Sequence, residues 1–155
     1  MKKLYLYILL AVLSAAGISS CTTSEWDSMP EKIQIFIDKY FNSTNIESFS
    51  ESNGHYVVVI RNGCALTFDS NYSWTIIDGR GGTLPQLLIS DQLPEKLYNF
   101  LFNMEITNRV YELDKTSTKI SVKLTDTYVE YDISSQTVSY PDRPVSPATE
   151  TEVKE

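Results

Sequence analysis

Residues 30–41 read PEKIQIFIDKYF, and residues 94–105 read PEKLYNFLFNME. The two stretches share a Pro-Glu-Lys start and lie 64 positions apart. Apolar residues recur in both at a spacing of three and four, which is the spacing of one face of an α-helix. The repeat therefore predicts two related helices in one chain. The corresponding pairs are Ile33 with Leu97, Phe36 with Phe100, Ile37 with Leu101 and Tyr40 with Met104.

Alternating apolar positions continue the repeat after each helix. Such alternation is typical of a β-strand with one buried face. At the offset of 64, the corresponding residues are Tyr56, Val58 and Ile60 with Ile120, Val122 and Leu124. After the next turn the offset falls to 63, so the second copy has lost one residue there. These later matches are Leu66, Phe68 and Asp69 with Val129, Tyr131 and Asp132.

The repeat predicts an α+β fold of two tandem units. Each unit is a helix packed on a short antiparallel meander of three to four strands. A flexible joint at residues 78–82 and a short extra helix within residues 84–89 separate the units. The predicted strands are residues 45–51, 55–61, 64–69 and 73–77, followed by 109–114, 119–125, 128–133 and 136–140.

The lost residue constrains the two tight turns, because residues directly opposite each other in a hairpin share a face. A three-residue loop at 61–63, with Gly63 in the left-handed conformation, keeps the matched apolar residues on one face. A two-residue Asn-Gly turn would separate them. In the second copy a two-residue turn at 126–127 gives the matching arrangement. Cys64 then lies on the same face as Leu66.

The amino terminus predicts export. Lys2 and Lys3 precede an apolar run at residues 4–13 and small residues at 14–17, as in a secretory signal peptide. The run is shorter than the stretch of about 20 apolar residues that a transmembrane helix needs. The ending Ile18-Ser19-Ser20-Cys21 resembles a bacterial lipobox. That resemblance implies cleavage before Cys21 and acylation of its sulfur and its new amino group. An ordinary signal peptide with an incidental Cys is the alternative.

The chain is thus divided into six segments. Removal of the signal also removes Lys2 and Lys3, which takes the formal charge from -7 to -9. Cys64 is then the one cysteine left without lipid, so an intramolecular disulfide is not expected. The segments are residues 1–20 as signal peptide, 21–28 as tether, 29–79 as first repeat, 80–92 as linker with a short helix, 93–140 as second repeat and 141–155 as disordered tail.

Two longer motifs carry a family resemblance. They read P-E-K-I-x-x-F-I-x-K-Y-F from Pro30 and Y-V-V-V-I-x-N-G-x-x-L-T-F-D-x-x-x-x-W from Tyr56. Over residues 29–140 the chain resembles the PepSY-like, beta-lactamase-inhibitor-like domain family. The resemblance implies two helix-plus-sheet repeats outside the cytoplasm and no catalysis. The chain departs from the pattern at Tyr72-Ser73, where a glycine is common, and its second copy lacks the Asn-Gly turn and the Trp.

Composition and spacing argue against several activities. The excess of 20 acidic over 13 basic residues argues against nucleic acid. His55 and Cys64 are predicted on opposite faces, so they form no dyad. Residues 69–73 begin like a calcium loop but lack its later ligands, which favours a local turn. Residues 79–82 favour a hinge over a phosphate loop. We expect no enzyme, cofactor or metal site.

The outer face of the first sheet is the candidate site. Val57, Val59, Trp74 and Ile76 are expected to form an apolar patch there, with His55 beside it and Tyr128 in the second copy. Such a patch on a one-sided sheet is typical of a partner surface. The alternative is that residues 84–89, or another segment of the chain, cover it.

We expect a non-catalytic envelope protein that binds an unidentified protein or peptide, and an inhibitor of an envelope enzyme is one case of such a protein. The alternative is a structural subunit without a ligand. A lipid on Cys21 would hold it on a membrane. The membrane is expected to be the outer one, because Thr22 is not Asp.

Overall fold

The computed structural model describes residues 25–41 and 46–140. Its centre is one antiparallel sheet of eight strands in chain order. The strand ends agree with the sequence prediction to within one residue. The strands are β1 (Ile46–Ser52), β2 (His55–Ile60), β3 (Ala65–Phe68), β4 (Trp74–Asp78), β5 (Val110–Lys115), β6 (Lys119–Leu124), β7 (Tyr128–Asp132) and β8 (Thr137–Ser139).

Each repeat contributes one long helix followed by four strands, as predicted. The helices are α1 (Glu25–Ser28), α2 (Glu31–Phe41), α3 (Gln86–Gln92) and α4 (Glu95–Asn103), with a 3₁₀ turn at Thr107–Arg109. In the part of the chain that the structure describes, none of these helices has the length and apolar character needed to cross a membrane.

The long helices bury the apolar stripe that their spacing predicted. Ile33 and Ile37 of α2, and Leu97 and Leu101 of α4, are fully buried against alternate residues of the strands. An edge-to-face contact between Phe36 and Phe68, with ring centroids 5.3 Å apart, joins α2 to β3. The helices and the hydrophobic core therefore lie on one side of the sheet.

The two repeats share a single sheet because β4 pairs with β5. Ile77 lies opposite Leu113, and Asp78 lies opposite Glu112. The predicted short helix is present as α3, and its Leu88 and Ile89 are buried in the common core. The segment between β4 and β5 thus packs on the helix side and brings the second repeat back beside the first.

The joint between the repeats, which the sequence predicts to be flexible, is a hydrogen-bonded turn in the structure. Gly79 N donates to Tyr111 O at 2.7 Å, and Gly82 N donates to Gly79 O at 2.9 Å. Arg80 N donates to the Asp78 carboxylate at 2.8 Å. These bonds extend the β4–β5 ladder beyond the last paired residues.

The first tight turn confirms the three-residue loop. Tyr56 lies opposite Phe68, and Ile60 N donates to Cys64 O at 2.9 Å across residues 61–63. The left-handed residue, however, is Asn62 with φ 56°, and not Gly63. Asn tolerates this conformation because its short polar side chain can bond locally.

The second tight turn lies one residue earlier than predicted. Leu124 N donates to Thr127 O at 2.8 Å, so the turn is at residues 125–126. Val122 consequently pairs with Val129. The turn predicted at 126–127 would have paired Val122 with Tyr131. Moving the turn by one residue shifts the pairing by two, so the side chains keep the predicted face but have different partners.

The folded part begins earlier than the predicted tether allows. Glu25–Ser28 forms α1, which lies beside β1, and Trp26 packs against the core. Gln34 Nε2 donates to Trp26 O and to Met29 O, both at 2.9 Å. Ser28 Oγ donates to Glu25 O at 2.8 Å. The predicted signal peptide, Cys21 and the predicted tail at 141–155 lie outside the described residues.

Gly79→Ala should destabilise the fold, because a Cβ at this position would collide with the Gly82 carbonyl oxygen and lie 2.9 Å from that of Tyr111. Forcing backbone apart in this way costs about 3 kcal/mol. Thermal unfolding should show a midpoint lower by roughly 10 °C for a domain of this size. Gly82→Ala is the control, because its Cβ would lie 3.3 Å from Gly79 O. Equal midpoints for the two variants would contradict a tight joint.

Candidate binding surface: the uncovered face of the sheet

The eight-stranded sheet has one face without helices, which we call the open face. The residues on this face follow from the strand register, because residues directly opposite each other in neighbouring strands share a face. In β1 to β4 they are Ser48, Ser50, Ser52, His55, Val57, Val59, Ala65, Thr67, Ile76 and Asp78. In β5 to β8 they are Glu112, Asp114, Lys119, Ser121, Lys123, Tyr128, Glu130, Asp132, Thr137 and Ser139.

Five of the six predicted contact residues lie on the open face. Val57 and Val59 are half-buried among their strand neighbours, whereas Ile76 is 38% exposed. His55 is exposed at the end of β2. Tyr128 is 43% exposed, but it belongs to β7, five strands from Val59. At a strand spacing of about 4.8 Å this separates them by roughly 24 Å, so Tyr128 is not part of the apolar patch.

Trp74 is the predicted residue that the structure moves to the other face. The register shifts by one residue between β3 and β4, so Thr67 pairs with Ile76 whereas Phe68 pairs with Trp74. A bulge of this kind places two residues opposite one and breaks the alternation of side chains. Trp74 is therefore 4% exposed on the helix side, and the prediction that it faces outward was wrong.

Trp74 takes part in a polar network between the helices. Its Nε1 donates to Gln92 Oε1 at 2.9 Å, and Gln92 Nε2 donates to the Tyr40 hydroxyl at 2.6 Å. The Lys115 ammonium lies 4.1 Å from the centroid of the Trp74 ring. Partial burial lowers the pKa of Lys115, consistent with an ammonium held against an aromatic face. Trp74 thus connects α2, α3 and β5.

An ion pair lies at the outer end of this network. Lys39 Nζ of α2 is 2.8 Å from the Asp91 carboxylate of α3. The Lys39 hydrogen bond lowers the pKa of Asp91, and the same bond raises the pKa of Lys39. Both side chains are well exposed, so the pair contributes little to stability and mainly fixes the relative positions of the two helices.

No described element covers the apolar patch formed by Val57, Val59 and Ile76. The alternative from the sequence was that residues 84–89 or another segment lie over it. Leu84, Leu88 and Ile89 are instead buried in the core on the helix side. Within residues 25–41 and 46–140 the patch therefore faces outward.

The second half of the open face is charged. Lys119 is 3.0 Å from the Glu130 carboxylate, and Lys123 contacts the Glu112 carboxylate. The hydrogen bond to Glu112 raises the pKa of Lys123. Asp78 lies directly opposite Glu112, so two like charges oppose each other where the repeats meet. The open face thus changes from uncharged to acidic between β3 and β5.

The reactive side chains do not form a catalytic group. His55 lies on the open face, and Cys64 is buried on the helix side, where burial raises the pKa of its thiol to about 11. Asp69 accepts from the backbone N–H groups of Asn71 and Ser73 at 2.8 and 2.9 Å, which makes residues 69–73 a local turn. In the described part of the chain, no three His, Cys, Asp or Glu side chains could hold a metal ion together.

The repeat, the one-sided sheet and the order of elements agree with a known domain family. The family described as "Putative beta-lactamase-inhibitor-like, PepSY-like" matches residues 25–73 and 54–138. The chain belongs to this PepSY-like family. The first match covers α1, α2 and the first three strands, and the second runs from residue 54 through α4 into β8. The chain thus holds two PepSY-like segments, each a helix followed by four strands of the single sheet. Among the curated proteins no match was found.

Solved structures share the PepSY-like fold at low sequence identity. A "putative periplasmic protein from DUF2874 family" of Bacteroides vulgatus is 18% identical, with a TM-score of 0.61 over 74% of this chain and 90% of that one. A "putative calcium-regulated periplasmic protein" of Bacteroides thetaiotaomicron is 19% identical, with the same TM-score and coverage. A second B. vulgatus protein, of unknown function, is 17% identical, with a TM-score of 0.59 over 73% and 93% of the two chains.

Trp74→Phe should destabilise the domain without altering the open face. The variant removes the Nε1 donor and leaves the part-buried Gln92 Oε1 without its bond, at a cost of about 1–2 kcal/mol. Urea unfolding should show a lower midpoint with an unchanged slope. Gln92→Met removes the Oε1 acceptor and so tests the same bond from α3. If Trp74→Phe retained full stability, Trp74 would not be a structural residue of this network.

Proposed function

We propose that this PepSY-like protein is a non-catalytic, lipid-anchored module of the cell envelope that binds a protein or peptide on its open face. The observation that supports this most is the apolar patch of Val57, Val59 and Ile76 on a face that no described helix covers. An antiparallel sheet with one solvated face normally carries polar residues there. Apolar side chains in that position favour a partner.

Residues on the open face contribute binding area and not chemistry. Val, Ala and Thr side chains are short and stiff, so ordering them against a partner loses little conformational entropy. The strands that carry them, β2 to β4, are each hydrogen-bonded to a neighbouring strand on both sides. The patch is therefore ordered before a partner binds. An inhibitor that blocks an enzyme by occupying its surface would need these properties and no nucleophile.

The envelope location draws on two observations. The fold relatives are described as periplasmic, and the amino-terminal residues resemble a lipoprotein signal ending at Cys21. Cys21 precedes the first residue of α1 by four positions, a span of at most about 14 Å. A lipid on Cys21 would therefore hold the β1 side of the domain close to a membrane surface, and we expect this to be the outer membrane.

Cys21→Ser tests the anchor. A lipoprotein should partition with the membrane fraction and take up radiolabelled palmitate, and the variant should lose the label and become soluble or remain uncleaved. Attachment through several acyl chains is effectively permanent, so salt washing should not release the native protein. Cys64→Ser is the control and should keep the label. Labelling of the Cys21→Ser variant would overturn lipidation at this residue.

Val57→Lys combined with Val59→Lys tests the binding surface. Partners are captured from envelope extracts with the native domain and with the variant. The patch is solvent-facing, so each substitution should change the free energy of unfolding by no more than about 1 kcal/mol. A partner captured by the native domain should be lost.

Ile35→Lys with Leu87→Lys is the matched control, because these residues are 60% and 53% exposed on the helix side. The control adds the same charge and should keep the partner. Equal capture by both variants would contradict binding through the open face. If the native domain captures no partner, a structural subunit without a ligand becomes the better description.

A further inference from the structure

The open face is divided into two halves of different charge. In β1 to β3 its paired residues include no carboxylate and no Lys or Arg, and three of them are serines in β1, whose Glu47 lies at the register shift between Ile46 and Ser48. The boundary lies at β4 and β5, where Ile76 is opposite Asp114 and Asp78 is opposite Glu112. An apolar patch therefore has carboxylates as its immediate neighbours on one side and serines on the other.

Two of the boundary carboxylates take part in no ion pair in the described part of the chain, although the charge of Asp114, after the Glu112 hydrogen bond, helps to raise the pKa of Lys123. Glu112 has Lys123 and Glu130 has Lys119, as described above. Within residues 25–41 and 46–140, neither Asp78 nor Asp114 takes part in an ion pair. Asp78 accepts a hydrogen bond from Arg80 N, which leaves its charge in place. Like charges in direct opposition destabilise a sheet, so this arrangement works against the fold on its own.

The size of the uncharged half argues against a second copy of this chain as the occupant. Four strands at about 4.8 Å spacing and three rows of side chains cover roughly 300 Å². A stable interface buries about 800 Å² on each partner. Packing the whole open face on a second copy around a two-fold axis would bring the central carboxylates of both copies together. Anionic lipid headgroups are excluded by the same charges.

We propose that the occupant of the open face is a cationic amphipathic segment of another protein. Its apolar side chains would cover Val57, Val59 and Ile76, and a Lys or Arg would lie between Asp78 and Asp114. This inference rests on the proposed binding function and specifies the chemistry of the partner. Val57, Thr67, Ile76 and Asp114 form one row across four strands. The apolar and cationic groups of the partner should therefore lie within about 14 Å of each other.

A model peptide tests this chemistry. The probe is a 14-residue peptide with Leu at positions i, i+3, i+4 and i+7 of one helical face and Lys elsewhere, and its counterpart carries Glu in place of Lys. Binding to the purified protein is measured by titration calorimetry at low and at physiological salt. We expect the Lys peptide alone to bind, more weakly as salt rises. Asp78→Asn with Asp114→Asn should weaken binding about fivefold to tenfold.

The control separates a local site from the overall acidity of the chain. Glu31→Gln with Glu95→Gln removes two charges from the exposed starts of α2 and α4, on the other side of the sheet. This control should bind the Lys peptide as the native protein does. Equal weakening by both pairs of substitutions would overturn the proposal, because attraction would then follow net charge. Absence of binding to the native protein would also overturn it.

A third variant distinguishes this inference from the proposed function. Val57→Ser with Val59→Ser, which removes the apolar contacts without adding charge, should abolish binding of the Lys peptide. If it does so while the Asp78 and Asp114 variant binds normally, the open face is a binding surface but its partner is not cationic. If the carboxylate variant loses binding and the valine variant does not, the open face still binds the peptide but the apolar patch is not part of the site, which overturns the inference of an amphipathic partner.

Discussion

The pairing of β4 with β5 is the interaction on which the remaining structure depends. It joins two four-stranded units into one sheet. The helices between these strands, α3 and α4, pack on the same side of the sheet as α2. The turn at Gly79 leads out of β4 and allows this pairing. It requires glycine, because its backbone passes so close to the Gly82 carbonyl that a side chain would not fit. With all helices on one side, the other face of eight strands is left without a cover from the described chain.

Periodicity predicted the elements because each repeat satisfies the same packing requirement. The helix stripe and the alternating strand positions are both imposed by a single hydrophobic core, so spacing alone located them. The comparison of two copies also resolved the loop at 61–63, since only one loop length keeps the matched residues on one face. What the repeat could not supply was the pairing register of the 125–126 turn, because two registers that differ by two residues preserve the same face.

The face of Trp74 was predicted wrongly because both alternating sets of residues in its strand contain apolar side chains. Residues 74–77 read WTII, and neither alternation is polar enough to mark the outer face. The bulge between Trp74 and Ile76 has no signal in such a stretch, and it is stabilised by tertiary contacts with Gln92 and Lys115 that lie far away in the sequence. Val57, Val59 and Ile76 were placed correctly because their neighbours across the sheet follow simple alternation. The acidic boundary was missed because the sequence did not indicate that β4 would have β5 as its neighbour.

The difference between the two halves of the open face is not explained by the stability of the fold. The helix side must keep large apolar residues in both repeats, since each fills the common core. The open face has no such requirement, and exposed Lys–Glu pairs such as Lys119 with Glu130 contribute at most about 1 kcal/mol. The patch of Val57, Val59 and Ile76 exposes apolar area to water, and Asp78 opposite Glu112 opposes like charges. Both features are unfavourable for an isolated sheet, and both become favourable when an apolar and basic surface covers them.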